Sequence, residues 1–120
     1  MMKKIFIFAL ALLLLPVPIC WSGEIERIQA KGEITVSLNR AYPPFSMEKG
    51  GRIFGLDVDL AYLLADYLKV KAKFIRPQTY DQQIPKLLAG ESDIIIAAMT
   101  RTLERGLQVH FSNPYFEVSQ

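Results

Sequence analysis

The sequence predicts an α/β domain with a mostly parallel sheet and helices on both faces. Two observations lead to this fold class. Strand-like and helix-like segments alternate over residues 33–99 as strand, helix, strand, helix, strand, which is the βαβαβ order of a parallel sheet with right-handed crossovers. The composition, with 51% hydrophobic and 22% charged residues in a chain of 120, is sufficient for the core of one small domain.

The first 22 residues have the composition of an export signal. Two lysines precede the apolar run Ile5–Leu15, and two prolines follow it. This run is too short to cross the ~30 Å hydrocarbon core of a bilayer. The sequence therefore predicts a signal peptide over residues 1–22 and a periplasmic domain over residues 23–120. Cys20 leaves a lipid anchor as the alternative, although the two residues before it are larger than those usually found before an acylated cysteine.

The charge balance and the scarcity of metal-binding side chains exclude several function classes. The chain has 14 Lys and Arg against 12 Asp and Glu, and the surplus of two lies in the predicted leader. The remaining domain is neutral, which gives no electrostatic case for nucleic acid or an anionic membrane surface. His110 is the only histidine, and no second histidine or cysteine lies near it. We therefore expect no nucleic acid partner, no metal, no cofactor and no catalytic residue.

After the leader the sequence predicts a short helix, a strand and a loop. Glu24–Ala30 carries two isoleucines three residues apart and is followed by the stop signal Gly32, so we expect one or two helical turns. Glu33–Leu38 alternates polar and apolar residues, which predicts a strand with one buried face. Asn39–Pro44 ends in two prolines, which donate no backbone hydrogen bond, and is predicted to be a loop.

A hairpin and the clearest helix follow. Gly50 and Gly51 separate Phe45–Met47 from Arg52–Phe54, and a glycine pair suits a tight turn. Asp57–Lys69 repeats leucine every four residues with alanines beside it, which predicts an amphipathic helix. Its first turn carries two aspartates, and the helix dipole explains them without catalysis.

The last part of the βαβαβ unit is a strand, a helix and a strand. Lys71–Ile75 is the second predicted strand, and Tyr80–Ala89 the second helix, with Gly90 as its stop. Pro85 fits that helix only in the first turn or at a kink. Asp93–Met99 is apolar after its first residue, which is typical of a central parallel strand buried on both faces.

The loops after the predicted strands are the candidate ligand site, because ligands of open α/β sheets bind beyond the carboxyl ends of the strands. These loops are Asn39–Phe45, Pro77–Tyr80 and Ala98–Arg105. In the third loop the Thr100 hydroxyl, backbone N–H groups and the Arg105 guanidinium could converge on one small anion. A guanidinium binds a carboxylate through two parallel hydrogen bonds. The alternative is that Arg105 pairs with an acid on the surface.

Two tyrosines, Tyr42 and Tyr80, are predicted to lie at the same edge of the sheet. Their rings could form flat walls that hold the apolar part of a ligand or face a cation. The alternative is ordinary packing that anchors the two loops. The residues alone leave both interpretations open.

Four groups of residues, taken together, resemble one protein family. In chain order they are Gly32–Val36 with Tyr42–Phe45, Gly55–Leu60 with the leucines after it, Gly90–Ile94, and Thr100–Arg105 with Phe111–Tyr115. Their sequence and spacing are similar to those of the bacterial extracellular solute-binding proteins of family 3, the polar amino-acid receptors of ABC importers. The resemblance covers essentially all of residues 23–120.

This resemblance implies a periplasmic binding protein-like type II fold, in which two lobes close on a ligand by a hinge motion. The chain would be the first lobe, truncated where the crossover into the second lobe begins. It would capture an amino acid or similar small polar solute, as a monomer, for the membrane permease of an ABC importer. A lobe without its partner is expected to bind weakly at best.

The resemblance also assigns ligand-binding residues. Six positions match, namely Asn39, Tyr42, Tyr80, Ala98, Thr100 and Arg105. In relatives the arginine matching Arg105 clamps the ligand α-carboxylate, with the hydroxyl matching Thr100 and the backbone at Ala98 beside it. The two tyrosines would line the pocket, while the role of Asn39 stays open.

A second function class is compatible with the same resemblance. Similar lobes occur in the front part of lytic transglycosylases, in periplasmic dehydratases and in sensor kinases. In those cases the catalytic or signalling part would follow Gln120. The sequence up to that residue places no carboxylic acid in an apolar pocket, as glycoside cleavage requires.

Overall fold

The computed structural model describes residues 23–118. The predicted signal peptide over residues 1–22, which includes Cys20, lies outside this range. Within it, no helix is both long and apolar enough to cross a membrane.

Helices and strands follow one another in the predicted order as far as the last strand, after which a short helix that the sequence did not predict begins in the third loop. The helices are α1 (Glu24–Lys31), α2 (Leu56–Leu68), α3 (Gln83–Leu88) and α4 (Leu103–Gly106), and a 3₁₀ turn at Tyr80–Gln82 precedes α3. The strands are β1 (Glu33–Ser37), β2 (Met47–Lys49), β3 (Arg52–Phe54), β4 (Lys71–Ile75) and β5 (Ile94–Ile95). Pro85 occupies the first turn of α3, which is one of the two placements that the sequence allowed.

The sheet is parallel, and β1 is its central strand in the described part of the chain. Strand β4 lies on one side of β1 and β5 on the other, so that Val36 is opposite both Phe74 and Ile94. The chain runs from β1 through α2 to β4 on one side, and then from β4 through α3 to β5 on the other side, so the two connections cross the sheet in opposite directions. Right-handed crossovers therefore put these two helices on opposite faces. The α/β class predicted from the alternation of elements is confirmed.

The last strand is much shorter than predicted. The apolar run predicted a strand over Asp93–Met99 in the centre of the sheet, but only Ile94–Ile95 is a strand, and it lies beside the central one. The ladder continues for one more bond, from the Ile96 N–H to the Ser37 carbonyl. Ala98 then adopts a positive φ of 45°, which turns the chain away from the sheet. Burial on both faces is confirmed only for Ile96 and Ala97, since both residues of β5 are half-buried, and apolarity carried no information on where the ladder ends.

Helix α2 packs on the sheet through small residues as well as through leucine. The predicted stripe contained three leucines, but only Leu68 is among the fully buried residues, together with Val58, Ala61 and Ala65. Alanine on the buried side lets the helix axis approach the strands closely. The buried core is formed by Ile28, Ile34, Val36, Leu38, Val58, Ala61, Ala65, Leu68 and Ile96.

A polar cluster, here called the Asp93 corner, closes the opposite end of the fold from the strand carboxyl ends. The Asp93 carboxylate accepts from the Thr35 N–H at 2.7 Å and from Arg27 Nη2 at 2.6 Å. Arg27 also pairs with Glu24 at 2.7 Å within α1. Burial raises the pKa of Asp93, but the hydrogen bonds from Arg27 and Thr35 outweigh it and hold the pKa below its ordinary value. The Asp93 corner thereby joins α1, β1 and β5.

Candidate functional site

The three predicted loops line one cavity of about 550 Å³ at the carboxyl ends of β1, β4 and β5, here called the edge cavity. All six residues predicted to bind ligand line it: Asn39, Tyr42, Tyr80, Ala98, Thr100 and Arg105. They come from three separate stretches of chain, and the parallel sheet brings these stretches to the same edge. Their role in binding stays a prediction.

Arg105 is held over the edge cavity by its own helix and by an aromatic ring. Helix α4 begins after Thr102, whose hydroxyl accepts from the Arg105 N–H at 3.2 Å. The side chain donates through Nη1 to the Thr100 carbonyl at 2.9 Å. The guanidinium carbon lies 5.3 Å from the centre of the Tyr80 ring, which is cation–π geometry. The Thr100 contact is therefore made by its backbone and not by the hydroxyl that the sequence singled out.

The electrostatics of the edge cavity favour an anion. Two arginines, Arg40 and Arg105, are among its lining residues, and none of those residues is acidic in the described range 23–118. Arg105 forms no ion pair with a carboxylate of residues 23–118. The surface ion pair that was the alternative for Arg105 is therefore not formed among these residues. Its remaining N–H groups are available to a ligand carboxylate.

The two tyrosines differ in how they are supported. Tyr42 is 51% exposed and stacks on Phe45, with ring centres 5.5 Å apart and planes within 16°. Tyr80 is half-buried, and burial raises the pKa of its hydroxyl, so that it stays neutral at physiological pH. One ring face of Tyr80 is already used by Arg105. Tyr42 is thus the more exposed of the two walls.

Asn39 is fixed by two hydrogen bonds, which leave its side-chain Oδ1 and one N–H without a partner among them. Its Nδ2 donates to the Ala97 carbonyl at 2.8 Å, and its own carbonyl accepts from the Ser46 hydroxyl at 2.7 Å. A ligand that approaches this side chain would meet Oδ1, which accepts from a donor such as an ammonium group, and the second N–H of Nδ2.

The backbone at Ala98 is engaged in a way that the sequence did not predict. Its N–H donates to the Tyr115 hydroxyl at 2.8 Å, which leaves the carbonyl as the backbone group that Ala98 offers to a ligand. The positive φ of this non-glycine residue costs about 1–2 kcal/mol. The Tyr115 hydroxyl in turn donates to Asp57 Oδ1 at 2.8 Å. Burial raises the pKa of Tyr115, so this hydroxyl keeps its proton.

Among the lining residues that were not selected from the sequence, Arg40 and Gln83 bring a charge and a buried amide to the edge cavity. Gln83 is 1% exposed, accepts from the Ser37 hydroxyl at 2.5 Å and donates to the Leu38 carbonyl at 3.1 Å. A polar residue at a buried position of a predicted helix was the available signal for Gln83. The position of Arg40 next to Asn39, in a loop already chosen, was the signal for that residue.

The described residues hold no group of three or more His, Cys, Asp or Glu side chains that could bind a metal ion. The chemistry offered by the edge cavity is that of recognition: charged and amide hydrogen bonds with aromatic walls.

A family model described as bacterial extracellular solute-binding proteins, family 3, matches residues 34–120. Among curated proteins, the L-arginine-binding protein of Pseudomonas aeruginosa is 35% identical over 96% of this chain and 42% of its own length. The probable histidine-binding protein of Neisseria gonorrhoeae is 36% identical over 71% of this chain and 32% of its own length. The L-cystine-binding protein TcyJ of Escherichia coli K12 is 32% identical over 78% of this chain and 35% of its own length. The chain thus spans less than half the length of these relatives.

Solved structures share the same fold. The ancestral cationic amino acid solute-binding protein AncCDT-1 is 41% identical with a TM-score of 0.74, over 78% of this chain and 41% of that chain. The arginine-bound form of domain 1 from TmArgBP is 43% identical with a TM-score of 0.72, over 75% of this chain and 71% of that chain. The second of these is a single domain, and most of it is matched.

Proposed function

The chain belongs to the bacterial extracellular solute-binding proteins of family 3, and on that premise we propose that it captures an amino acid or a similar small zwitterion in the edge cavity. The observation that carries the proposal is that the Arg105 guanidinium faces the edge cavity without a paired carboxylate among the described residues. This guanidinium lies over the cavity against the Tyr80 ring. A buried or half-buried cation in this state is matched by a ligand anion.

The ligand carboxylate would bind to Arg105 through two parallel hydrogen bonds. The bond to the Thr100 carbonyl and the face of the Tyr80 ring already restrict the guanidinium plane, so less side-chain freedom is lost on binding. The Thr100 hydroxyl at the edge cavity would add a further donor. The lobe therefore offers a carboxylate site that is largely formed before the ligand arrives.

The other end of the ligand would meet weaker groups. Asn39 Oδ1 and the Ala98 carbonyl are acceptors for an ammonium, and Tyr42 offers an exposed ring face to the ligand side chain. The cavity residues of this lobe bring no carboxylate to neutralise the ammonium. Binding to this lobe would therefore be dominated by the carboxylate, and the affinity would be modest.

The comparisons support an amino acid as the ligand and binding by one lobe. Relatives are named for arginine, histidine and cystine, and a single domain from TmArgBP is described in an arginine-bound form. The same relatives support a receptor over an enzyme or sensor, although AncCDT-1 is described as a precursor of cyclohexadienyl dehydratase. In the proposed role the chain acts in the periplasm and passes its ligand to the membrane permease of an ABC importer.

Isothermal titration of the purified chain with the twenty amino acids tests the proposal. We expect weak, saturable binding of at least one of them. Arg105→Lys should lower that affinity by roughly tenfold or more, because an ammonium cannot form the paired hydrogen bonds. Arg101→Lys is the matched control, since Arg101 is exposed in the same loop and does not line the edge cavity. Absence of binding by every amino acid, or equal affinity of the two variants, would contradict the proposal.

A further inference from the structure

A tyrosine outside the predicted site connects the edge cavity to the interior of the lobe. The Tyr115 hydroxyl donates to Asp57 Oδ1 and accepts from the Ala98 N–H, both at 2.8 Å. Asp57 is completely buried at the start of α2, whereas Ala98 lines the cavity. One hydroxyl group therefore joins the buried end of a helix to the wall of the candidate ligand site.

Ala98 needs such a contact more than its neighbours do. Its φ of 45° is unfavourable for any residue with a Cβ atom, so the turn persists only where the surroundings impose it. The two residues before it are held by the sheet edge, through Ile96 N–H to Ser37 and through the Ala97 carbonyl to Asn39. The Ala98 N–H itself donates to the Tyr115 hydroxyl, and it lies close enough to Asp57 to offset part of the rise that burial causes in the pKa of that carboxyl.

The tyrosine is itself held in a defined orientation. An ionised Asp57 carboxylate accepts hydrogen bonds and cannot donate one. The Tyr115 hydroxyl proton is therefore directed to Asp57, and a lone pair of the hydroxyl oxygen is left to accept from the Ala98 N–H. The next residue, Phe116, packs edge-on against Phe45 with ring centres 5.0 Å apart. Phe45 also carries the stacked ring of Tyr42. Two adjacent residues therefore support the edge cavity: Tyr115 contacts Ala98 directly, and Phe116 supports Tyr42 through Phe45.

We propose that Tyr115 is a positioning residue of the ligand site: its hydroxyl, oriented by the buried Asp57, fixes the left-handed turn at Ala98 and with it the start of the loop that carries Thr100 and Arg105. The residue acts through the backbone and touches no ligand. The effect of Tyr115 on ligand affinity rests on the proposed function. Its effect on the turn at Ala98 rests on the geometry alone.

Amide hydrogen exchange, followed by NMR on the full chain, tests the geometric part without a ligand. Tyr115→Phe removes the hydroxyl and keeps the ring. We expect the Ala98 amide to exchange at least about tenfold faster in this variant, while the Val36 amide in the central strand changes far less. Tyr67→Phe, at an exposed position of α2, is the matched control and should leave both rates unchanged. Equal acceleration at Ala98 and Val36 would mean a loss of global stability only, and would overturn the proposal, as would no change at Ala98.

Titration with L-arginine as the probe tests the consequence for binding. Tyr115→Phe should weaken the affinity roughly threefold to tenfold, which corresponds to a relaxed turn and not to a lost ligand contact. Adding Ala98→Gly to that variant should recover a part of the loss, because glycine adopts positive φ without a steric penalty. A residue that only packs would show no such recovery, so a double variant no better than Tyr115→Phe would overturn the proposal.

The two readouts separate the failure of this inference from the failure of the proposed function. A chain that binds no amino acid refutes the proposed function, and the Ala98 exchange rate still decides whether Tyr115 fixes the turn. A chain that binds normally and shows unchanged Ala98 exchange in Tyr115→Phe refutes the inference and leaves the proposed function standing.

Discussion

Two arginines at opposite ends of the sheet, Arg27 and Arg105, differ in the partners that their guanidinium groups contact. Arg27 contacts two carboxylates, from Glu24 and Asp93, and the second of these also accepts from the backbone of β1. Arg105 contacts a backbone carbonyl and an aromatic ring, and it forms no ion pair with an acid of the described residues. An arginine whose charge is already matched contributes to the fold, whereas under the proposed function the charge of Arg105 would be matched by a ligand carboxylate.

The difference follows from which end of the strands each arginine occupies. At the amino ends the chain brings Asp93 next to Thr35, and the carboxylate is 7% exposed and saturated with donors. At the carboxyl ends three loops diverge and leave the edge cavity between them. The comparison therefore predicts that substitutions at the Asp93 corner change stability, and that substitutions at the edge cavity change binding.

The largest effect on stability is expected from Asp93→Ala. This change leaves the Thr35 N–H buried without an acceptor and removes a partner of Arg27, so the free energy of unfolding should fall by about 2 kcal/mol. Urea unfolding followed by circular dichroism measures it. Glu91→Ala is the control, because Glu91 forms an exposed ion pair with Lys86 and its loss should cost less than about 1 kcal/mol. Equal losses in both variants would remove the distinction between the two regions.

The converse effect is expected from Arg105→Met. Loss of the contact with Tyr80 should lower the free energy of unfolding by only about 0.5–1 kcal/mol, since the pair lies at the surface of a cavity. Amino-acid binding, measured by titration, should be weakened by roughly a hundredfold if two charged hydrogen bonds are lost. If Arg105→Met destabilised the fold as much as Asp93→Ala does, Arg105 would be a structural residue like Arg27.

The pH dependence of stability sharpens the comparison further. Unfolded Asp93 takes up its proton near the ordinary pKa of 3.8, and folded Asp93 does so at a lower pH. Between these pKa values the unfolded state binds more protons, so the free energy of unfolding falls as the pH is lowered through that range.

Asp93→Asn removes this contribution and is the variant to compare. Asp57, whose pKa burial raises, responds in the opposite direction and is present in both proteins, so it cancels in the difference. We expect the urea midpoint of the unsubstituted chain to fall more steeply below pH 4 than that of the variant, where 4 is about the ordinary aspartate pKa. Parallel pH profiles for the two proteins would show that Asp93 is not the group responsible.

Much of this architecture follows from the sequence, for physical reasons that differ by element. Alternation predicted the bounds of β1 and periodicity those of α2 to within a residue. The single buried face predicted for β1 is wrong, because this strand is central and its polar residues Thr35 and Ser37 are buried as well. The three loops of the candidate site could be selected because the carboxyl ends of parallel strands share one edge, and these loops do line one cavity.

The remaining features depend on contacts between distant residues, which no local pattern reports. The early end of β5 depends on a left-handed turn at Ala98, a residue type that gives no signal for positive φ. The hydrogen bond from Tyr115 to Asp57 spans 58 positions, and the helix dipole already accounted for that aspartate. The resemblance to a family pointed to the segment that contains Tyr115 without giving the residue a role.

The smallest effect is expected at the ring that supports Arg105. Tyr80→Phe keeps the aromatic face and removes only the hydroxyl, so ligand affinity should change by less than about twofold, whereas Tyr80→Ala should lower it by roughly twofold to fivefold through the lost cation–π contact. Titration of both variants with the same amino acid separates these cases. If Tyr80→Phe loses as much affinity as Tyr80→Ala, the hydroxyl is itself a ligand contact. The position of the Arg105 guanidinium would then depend on its hydrogen bond to the Thr100 carbonyl and not on the Tyr80 ring. In that case Arg105 would resemble Asp93, whose side chain is also held by a backbone group, and the contrast between the two regions would be weaker.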